Sequence, residues 1–166
     1  MQIDNPERGF SYKIEGPLDL RMNPKEGSSA AERLCEITRN EFVGMLLENS
    51  DEPLAEEIAD EVFKQMKQGV SIDTTTKLRE AVERTVLRCS KGLSKKELDD
   101  LMKKSCQRTF QALRIDVNSE FEVLYDFLDK LPDILNPGAR VAILTFHSGE
   151  DRLVKKSFKE LKRAGI

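Results

Sequence analysis

The sequence predicts an α/β fold in which helices predominate, and three observations lead there. Helical periodicity begins near Ser28 and persists for about a hundred residues. The turn signal Asn136-Pro137-Gly138 then precedes one convincing strand, Arg140 to Phe146, a near-continuous apolar run of the kind buried on both faces of a parallel sheet. A capped amphipathic stretch follows it. Helix, Pro-Gly turn, buried strand, loop and helix is the rhythm of an α/β sheet.

The first 27 residues carry no useful periodicity. Gly9, Gly16, Gly27, Pro6, Pro17 and Pro24 punctuate them, and apolar residues occur singly. A loop this long is uncommon in a compact domain unless it is functional, so chemistry is sought there first. Ser28 or Ser29 can cap a short helix through Glu36, and Thr38 with Glu41 reads as a capping box for a second helix through about Asn49. Asp51 precedes a third, whose stripe of Leu54, Ile58, Val62 and Met66 lies on one face; Gly69 ends it. Thr74 to Thr76 start a fourth with Leu78, Val82 and Val86 inward. Ser94 with Glu97 caps a fifth. Phe110, Leu113, Val117, Phe121, Leu124, Leu128 and Leu131 then recur in steps of three and four, which predicts one long helix broken at Pro132. Ser148 with Asp151 caps a last helix bearing Leu153, Val154, Phe158 and Leu161.

One consequence is awkward. A buried parallel strand at 140–146 has no partner elsewhere in this chain, although its backbone donors and acceptors must pair with something. Either it is not a strand or part of its sheet lies outside the sequence.

The chain has 166 residues, room for one compact domain and not two. No run approaches the ~20 apolar residues needed to cross a membrane, and Met1 to Asn5 lacks the layout of a signal peptide, so a soluble, non-secreted protein is expected. Cys35, Cys89 and Cys106 are an odd set at wide spacings, which fits neither a disulfide framework nor a metal site; buried or idle thiols are expected, and no metal. The formal net charge of −3 hides a split. Residues 1–63 carry six Lys/Arg against fifteen Asp/Glu, residues 64–108 twelve against six, and residues 109–166 nine of each. The middle block could follow a phosphate backbone or form an ordinary solvated face.

Three segments carry a resemblance. Asn5 to Tyr12, Asn-Pro-Glu-Arg-Gly-Phe-Ser-Tyr, followed by Gly16-Pro17-Leu18-Asp19-Leu20-Arg21-Met22, is similar to the signature loop of the bacterial-type methyltransferases that modify the N4 amino group of a cytosine in small-subunit ribosomal RNA. Arg108 to Ile115 with Val117-Asn118-Ser119-Glu120 resembles that family's second block, and Thr145-Phe146-His147-Ser148 with Glu150-Asp151-Arg152 its third. They occur in the family's order across essentially the whole chain.

The resemblance implies a Rossmann-like, S-adenosylmethionine-dependent methyltransferase fold with an inserted helical cap. Residues 1–27 would be the signature loop of the methyltransferase domain, 28–108 the cap that recognises RNA, and 109–166 the return to the methyltransferase domain through a long helix, a strand at 140–146 and a helix at 150–164. Family members are about twice this length and hold the cofactor on a Gly-rich loop that this sequence lacks, so a truncated or partial enzyme is expected, weak toward S-adenosylmethionine by itself. A non-catalytic helical RNA-binding module is the alternative. Small-subunit ribosomal RNA is the implied partner, with no membrane and with a dimer possible; the compartment would be the cytoplasm in a bacterium, or the mitochondrion or chloroplast in a eukaryote.

Residue roles follow in the same way. Asp19 and His147 are the catalytic candidates, Asp19 through contact with the target amine or the pocket around it, His147 because it lies just past the strand, where α/β sheets place their sites. Gln2 matches a cofactor contact. Phe10 or Tyr12 could stack on a displaced base, while Arg21, Arg108, Arg114, Asn118 and Arg152 are candidates for RNA contact or positioning. The sequence departs from the family at Asn23, usually acidic, and at Gly149, where a larger apolar residue is usual.

Overall fold

Local capping chemistry sets most helix boundaries in the computed structural model, which describes residues 5–165. Helix α1 (Ala30–Glu36) starts at Ser29, whose hydroxyl accepts from the Glu32 amide while the Glu32 carboxylate takes the Ser29 amide. The same reciprocal box opens α2 (Arg39–Ser50) at Thr38 and Glu41, and α5 (Lys95–Val117) at Ser94 and Glu97. Thr74 caps α4 (Thr75–Cys89) through the Lys77 amide. Helix α3 (Ala55–Lys67) has no side-chain cap at Leu54. Glu52, two residues earlier, instead accepts the Leu54 amide at 3.0 Å.

The chain forms two compact units, Met1–Asn118 and Ser119–Ile166. In the first, α5 lies against α1, α2 and α4, while α3 packs on α2 and α4. Phe42, Leu46, Ile58, Val62, Leu78, Val82 and Leu113 are buried there, and the rings of Phe42 and Phe63 sit 6.1 Å apart. The segment before α1 belongs to this core, because Leu18 and Leu20 are both 1% exposed. The second unit pairs α6 (Glu120–Ile134) with α7 (Ser148–Ala164) over Leu128, Leu131 and Val154.

Three expectations are corrected. The predicted strand 140–146 makes no ladder: the single β-bridge among the described residues joins Pro17 to Thr74. Its residues alternate between half-buried and exposed, with Leu144 79% and Phe146 85% exposed. The period of two is present, but no partner strand occurs among the described residues, and a strand without a partner has no ladder hydrogen bonds to stabilise it. The predicted long helix 110–131 is two helices, because Ser119 takes a left-handed conformation with φ 48°. Its first part instead continues the helix opened at Ser94, and Pro132 is carried inside α6 rather than ending it. The last helix begins at Ser148 and is capped by His147, not by Ser148. Of the thiols, Cys106 is buried and Cys35 and Cys89 are exposed. None of the described helices is long and apolar enough to cross a membrane.

Candidate functional site

The signature loop closes on itself by close backbone approaches. Asn5 caps a 3-10 turn over Pro6–Arg8, and Gly9 follows in a left-handed conformation with φ 67°. A Cβ on Gly9 would lie 2.2 Å from the Pro17 carbonyl oxygen, and one on Gly16 would lie 2.0 Å from that of Pro6. These two positions therefore need glycine: the loop crosses itself there, and its own backbone fills the space a side chain would take.

The loop is then sewn to the helices. Thr75 donates its hydroxyl to the Ile14 carbonyl at 2.7 Å and its amide to the Gly16 carbonyl at 2.9 Å. The carbonyls of Leu18 and Asp19 accept from the amides of Ala31 and Ala30, satisfying the open donors at the start of α1. Tyr12 packs on the core beside Phe110, ring centroids 5.9 Å apart, and Phe10 lies under the Arg8 guanidinium at 5.8 Å.

Asp19 and Arg21 form a two-pronged pair: Nε to Oδ1 at 2.7 Å and Nη2 to Oδ2 at 2.9 Å. The Arg21 amide adds a third bond to Oδ1, and Nη1 reaches the Gly27 carbonyl at 2.8 Å. The hydrogen bond from Arg21 holds the Asp19 carboxyl below its ordinary range despite partial burial. Asp19 is thus an ionised acceptor at neutral pH, fixed in direction, and Arg21 is committed to it.

Asn118 ends α5 with both ends of its amide engaged. Its Oδ1 accepts from the Met22 amide at 2.6 Å, and its Nδ2 donates to the carbonyls of Leu20 and Arg114 at 2.8 and 2.9 Å. Arg114 lies one turn before it. The side chain of Arg108, half-exposed on α5, makes no hydrogen bond or ion pair among the described residues.

His147 belongs to the second unit. Its Nδ1 accepts from the Glu150 amide at 3.4 Å, which leaves the proton on Nε2, and Nε2 faces Glu150 Oε1 at 3.5 Å. The other Glu150 oxygen accepts the Phe146 amide at 2.7 Å. Glu120 brings a second carboxylate, so that donor atoms of Glu120, His147 and Glu150 lie within 4.8 Å of one another. A cation bound at Nε2 would require the proton on Nδ1, where the capping bond needs a lone pair. The cap and a metal compete for one imidazole. Gly149 belongs to the same cluster: a Cβ there would meet the Phe121 ring at 2.5 Å, so glycine at this position lets that ring pack over the start of α7. Arg152 lies in α7.

The basic block divides in two. Lys77 pairs with Asp73, Arg79 with Glu83, and both Arg84 and Arg88 with Glu61. Burial pushes the Glu61 carboxyl up, but hydrogen bonds from Gln65, Arg84 and Arg88 outweigh it and hold the group low. Lys64, Lys67, Lys91, Lys95, Lys96, Lys103 and Lys104 join Arg108 as exposed or half-exposed cations with no such partner among the described residues.

Sequence reasoning missed Glu52 and Arg8. Glu52 is fully buried and accepts from Ser105 at 3.0 Å as well as from Leu54, tying the α2–α3 turn to α5. Nothing in the local pattern distinguishes it from the solvated acids around it. Arg8 sits within the signature loop, and its partners, thirteen and fourteen residues on, are backbone carbonyls that no side-chain pattern reveals.

The described residues include no Gly-rich loop of the kind that holds a nucleoside cofactor. The glycines never cluster, and the concave sides of Gly9 and Gly16 are filled by the loop's own backbone. Gln2, the residue expected to touch the cofactor, lies outside the described residues.

A family model described as the MraW methylase family matches residues 1–166. A ribosomal RNA small subunit methyltransferase H 1 from Lachnoclostridium phytofermentans is 62% identical over the whole chain, which covers 44% of that relative's length. Its namesake from Agathobacter rectalis is 61% identical, with 46% of its length covered. A ribosomal RNA small subunit methyltransferase H from Thioalkalivibrio sulfidiphilus is 37% identical over 96% of the chain and 47% of its own length. The chain therefore spans about half the length of the curated relatives it matches.

Proposed function

The chain belongs to the MraW methylase family, and from that premise we propose that the protein methylates small-subunit ribosomal RNA at the N4 amino group of a cytosine. The family match across all 166 residues is the observation that carries this reading. In it, residues 28–108 form an RNA-recognising cap, and the signature loop with residues 109–166 belongs to a Rossmann-like methyltransferase domain. The family implies S-adenosylmethionine as methyl donor, which would supply an electrophilic methyl group. The described residues include no Gly-rich loop to hold that cofactor, so the proposal concerns the acceptor side alone.

An exocyclic amine is a poor nucleophile because its lone pair is delocalised into the ring. The acceptor side must orient it and accept a hydrogen bond as positive charge develops. Asp19 can do both, since it is ionised, it is aimed by Arg21, and its Oδ2 carries a single bond to Arg21, which leaves acceptor capacity. His147 is less suited, since Nδ1 serves the helix cap and Nε2 is shut off from solvent. Phe10 and Tyr12 contribute by fixing the loop. RNA affinity falls to the unpaired lysines and Arg108, which give phosphate attraction with little sequence discrimination.

Loss of N4-methylcytosine from the small-subunit ribosomal RNA of a gene-deletion strain, read by mass spectrometry of nuclease digests, is the expected result. An unchanged methylation pattern contradicts the reaction. With no Gly-rich loop among the described residues, the second reading for this chain by itself is a helical RNA-binding module without catalysis. Isothermal titration with S-adenosylmethionine separates the two: no saturable binding is expected, and micromolar binding would sink the module reading.

A further inference from the structure

Leu20 is the most unusual residue in the signature loop. Its φ is 63°, a left-handed conformation that an L-leucine adopts only at a cost, and it lies away from any helix end, unlike Asp51 and Ser119. Its side chain is 1% exposed, so it cannot relax outward. The backbone around it is held at every polar group. Leu20 donates to the Arg8 carbonyl at 3.1 Å and accepts from Asn118 Nδ2. Arg21 donates to Asp19 Oδ1 and accepts from Arg8 Nη2 at 2.7 Å. Met22 donates to Asn118 Oδ1 and accepts from the same Arg8 nitrogen at 2.7 Å. Six consecutive backbone groups are closed, four of them by the side chains of Arg8 and Asn118.

A strained tripeptide persists only where its surroundings over-determine it, and such strain concentrates where a side chain must be aimed. We propose that Arg8 and Asn118 are positioning residues for acceptor recognition: they lock Leu20–Met22 so that the Asp19–Arg21 pair meets a nucleotide of the RNA in one fixed direction. The proposal rests on the RNA reading above. It also moves Asn118 from RNA contact to loop control, because both ends of its amide are engaged by backbone.

The test combines hydrogen exchange at single amides, read by NMR, with filter binding of a small-subunit ribosomal RNA fragment to the full chain. Asn118→Ala is expected to speed exchange at the Met22 amide about tenfold or more and to weaken RNA binding about fivefold, with helical circular dichroism unchanged. Asn118→Asp keeps the acceptor for Met22 and is expected to keep that amide protected. Arg8→Ala should behave like Asn118→Ala, and Arg8→Lys should recover only part of the binding, because the shorter ammonium stem does not reproduce the position of Nη2 or its stacking on Phe10. Persistent protection of Met22 in Asn118→Ala overturns the clamp. Lost protection with unchanged RNA affinity makes the clamp purely structural and overturns its positioning role. Absence of RNA binding by the unaltered chain strikes the RNA reading itself; the positioning role falls with it, while the exchange data still decide whether the clamp exists.

Discussion

The two units of this chain solve the burial problem to very different extents. The first encloses Phe42, Ile58, Val82, Leu113 and their neighbours on five helices and draws Leu18 and Leu20 of the loop into the same core. The second buries only Leu128, Leu131, Gly149 and Val154 among its described residues and leaves Val123, Tyr125, Phe127, Ile134, Leu144 and Phe146 open. Apolar area removed from water stabilises by about 25 cal/mol per Å², so the first unit is the stable body and the second is marginal. The signature loop's order comes from its place in a finished core, whereas the run 140–146 has the pattern of a strand and no pairing partner among the described residues.

Emptying one core at a time separates the two units. Phe42→Ala removes a fully buried ring and should cost the first unit about 3–5 kcal/mol in urea unfolding followed by circular dichroism. Leu128→Ala should melt α6 and α7 while leaving the main transition within about 0.5 kcal/mol. A shared loss from both substitutions would show that the units unfold as one.

Next comes the loop's attachment. The Asp19 carboxyl is held low by Arg21, so this pair stabilises the folded state above the ordinary aspartate value of about 3.9 and loses that contribution as pH falls through the depressed folded value. Asp19→Asn should cost about 1–2 kcal/mol at pH 7 and nothing at the acid end. Unfolding midpoints from pH 2 to pH 7 check it; an equal loss at every pH would contradict the pair.

Thiol reactivity reports burial without altering the fold. Burial pushes the Cys106 thiol up to about 12, whereas Cys35 and Cys89 are exposed. A disulfide reagent at pH 8 should label two thiols quickly and Cys106 only through opening of the first unit. The smallest effect is expected in the second unit. Gly149→Ala gains helix propensity but displaces the Phe121 ring, so its change in thermal unfolding should stay within about 1 kcal/mol.

Much of the fold was legible because its signals are local. Ser29, Thr38 and Ser94 each face an acid three residues on, and all three pairs form as capping boxes. The break at Asn118-Ser119 was not legible, since the apolar step from Val117 to Phe121 continues through it and neither glycine nor proline marks it. The strand at 140–146 failed for the opposite reason: its pattern is real, but pairing depends on residues distant in sequence. At the candidate site, Asp19, Arg21 and Asn118 were singled out from motif blocks. Their arrangement was not legible, because Asn118 acts ninety-six residues away, through the backbone of Met22. The basic block was legible as charge but not as free charge, for Glu61 had already engaged two of its arginines.

The signature loop belongs to the stable body of helices. Native-state hydrogen exchange across a urea series tests it most directly. The amides of Leu18, Met22 and Ala30 are expected to join Ile58 and Val82 in one slow, urea-dependent opening, while those from Val141 to Thr145 exchange orders of magnitude faster. Exchange of Leu18, Met22 and Ala30 at the rate of the 141–145 segment would contradict it.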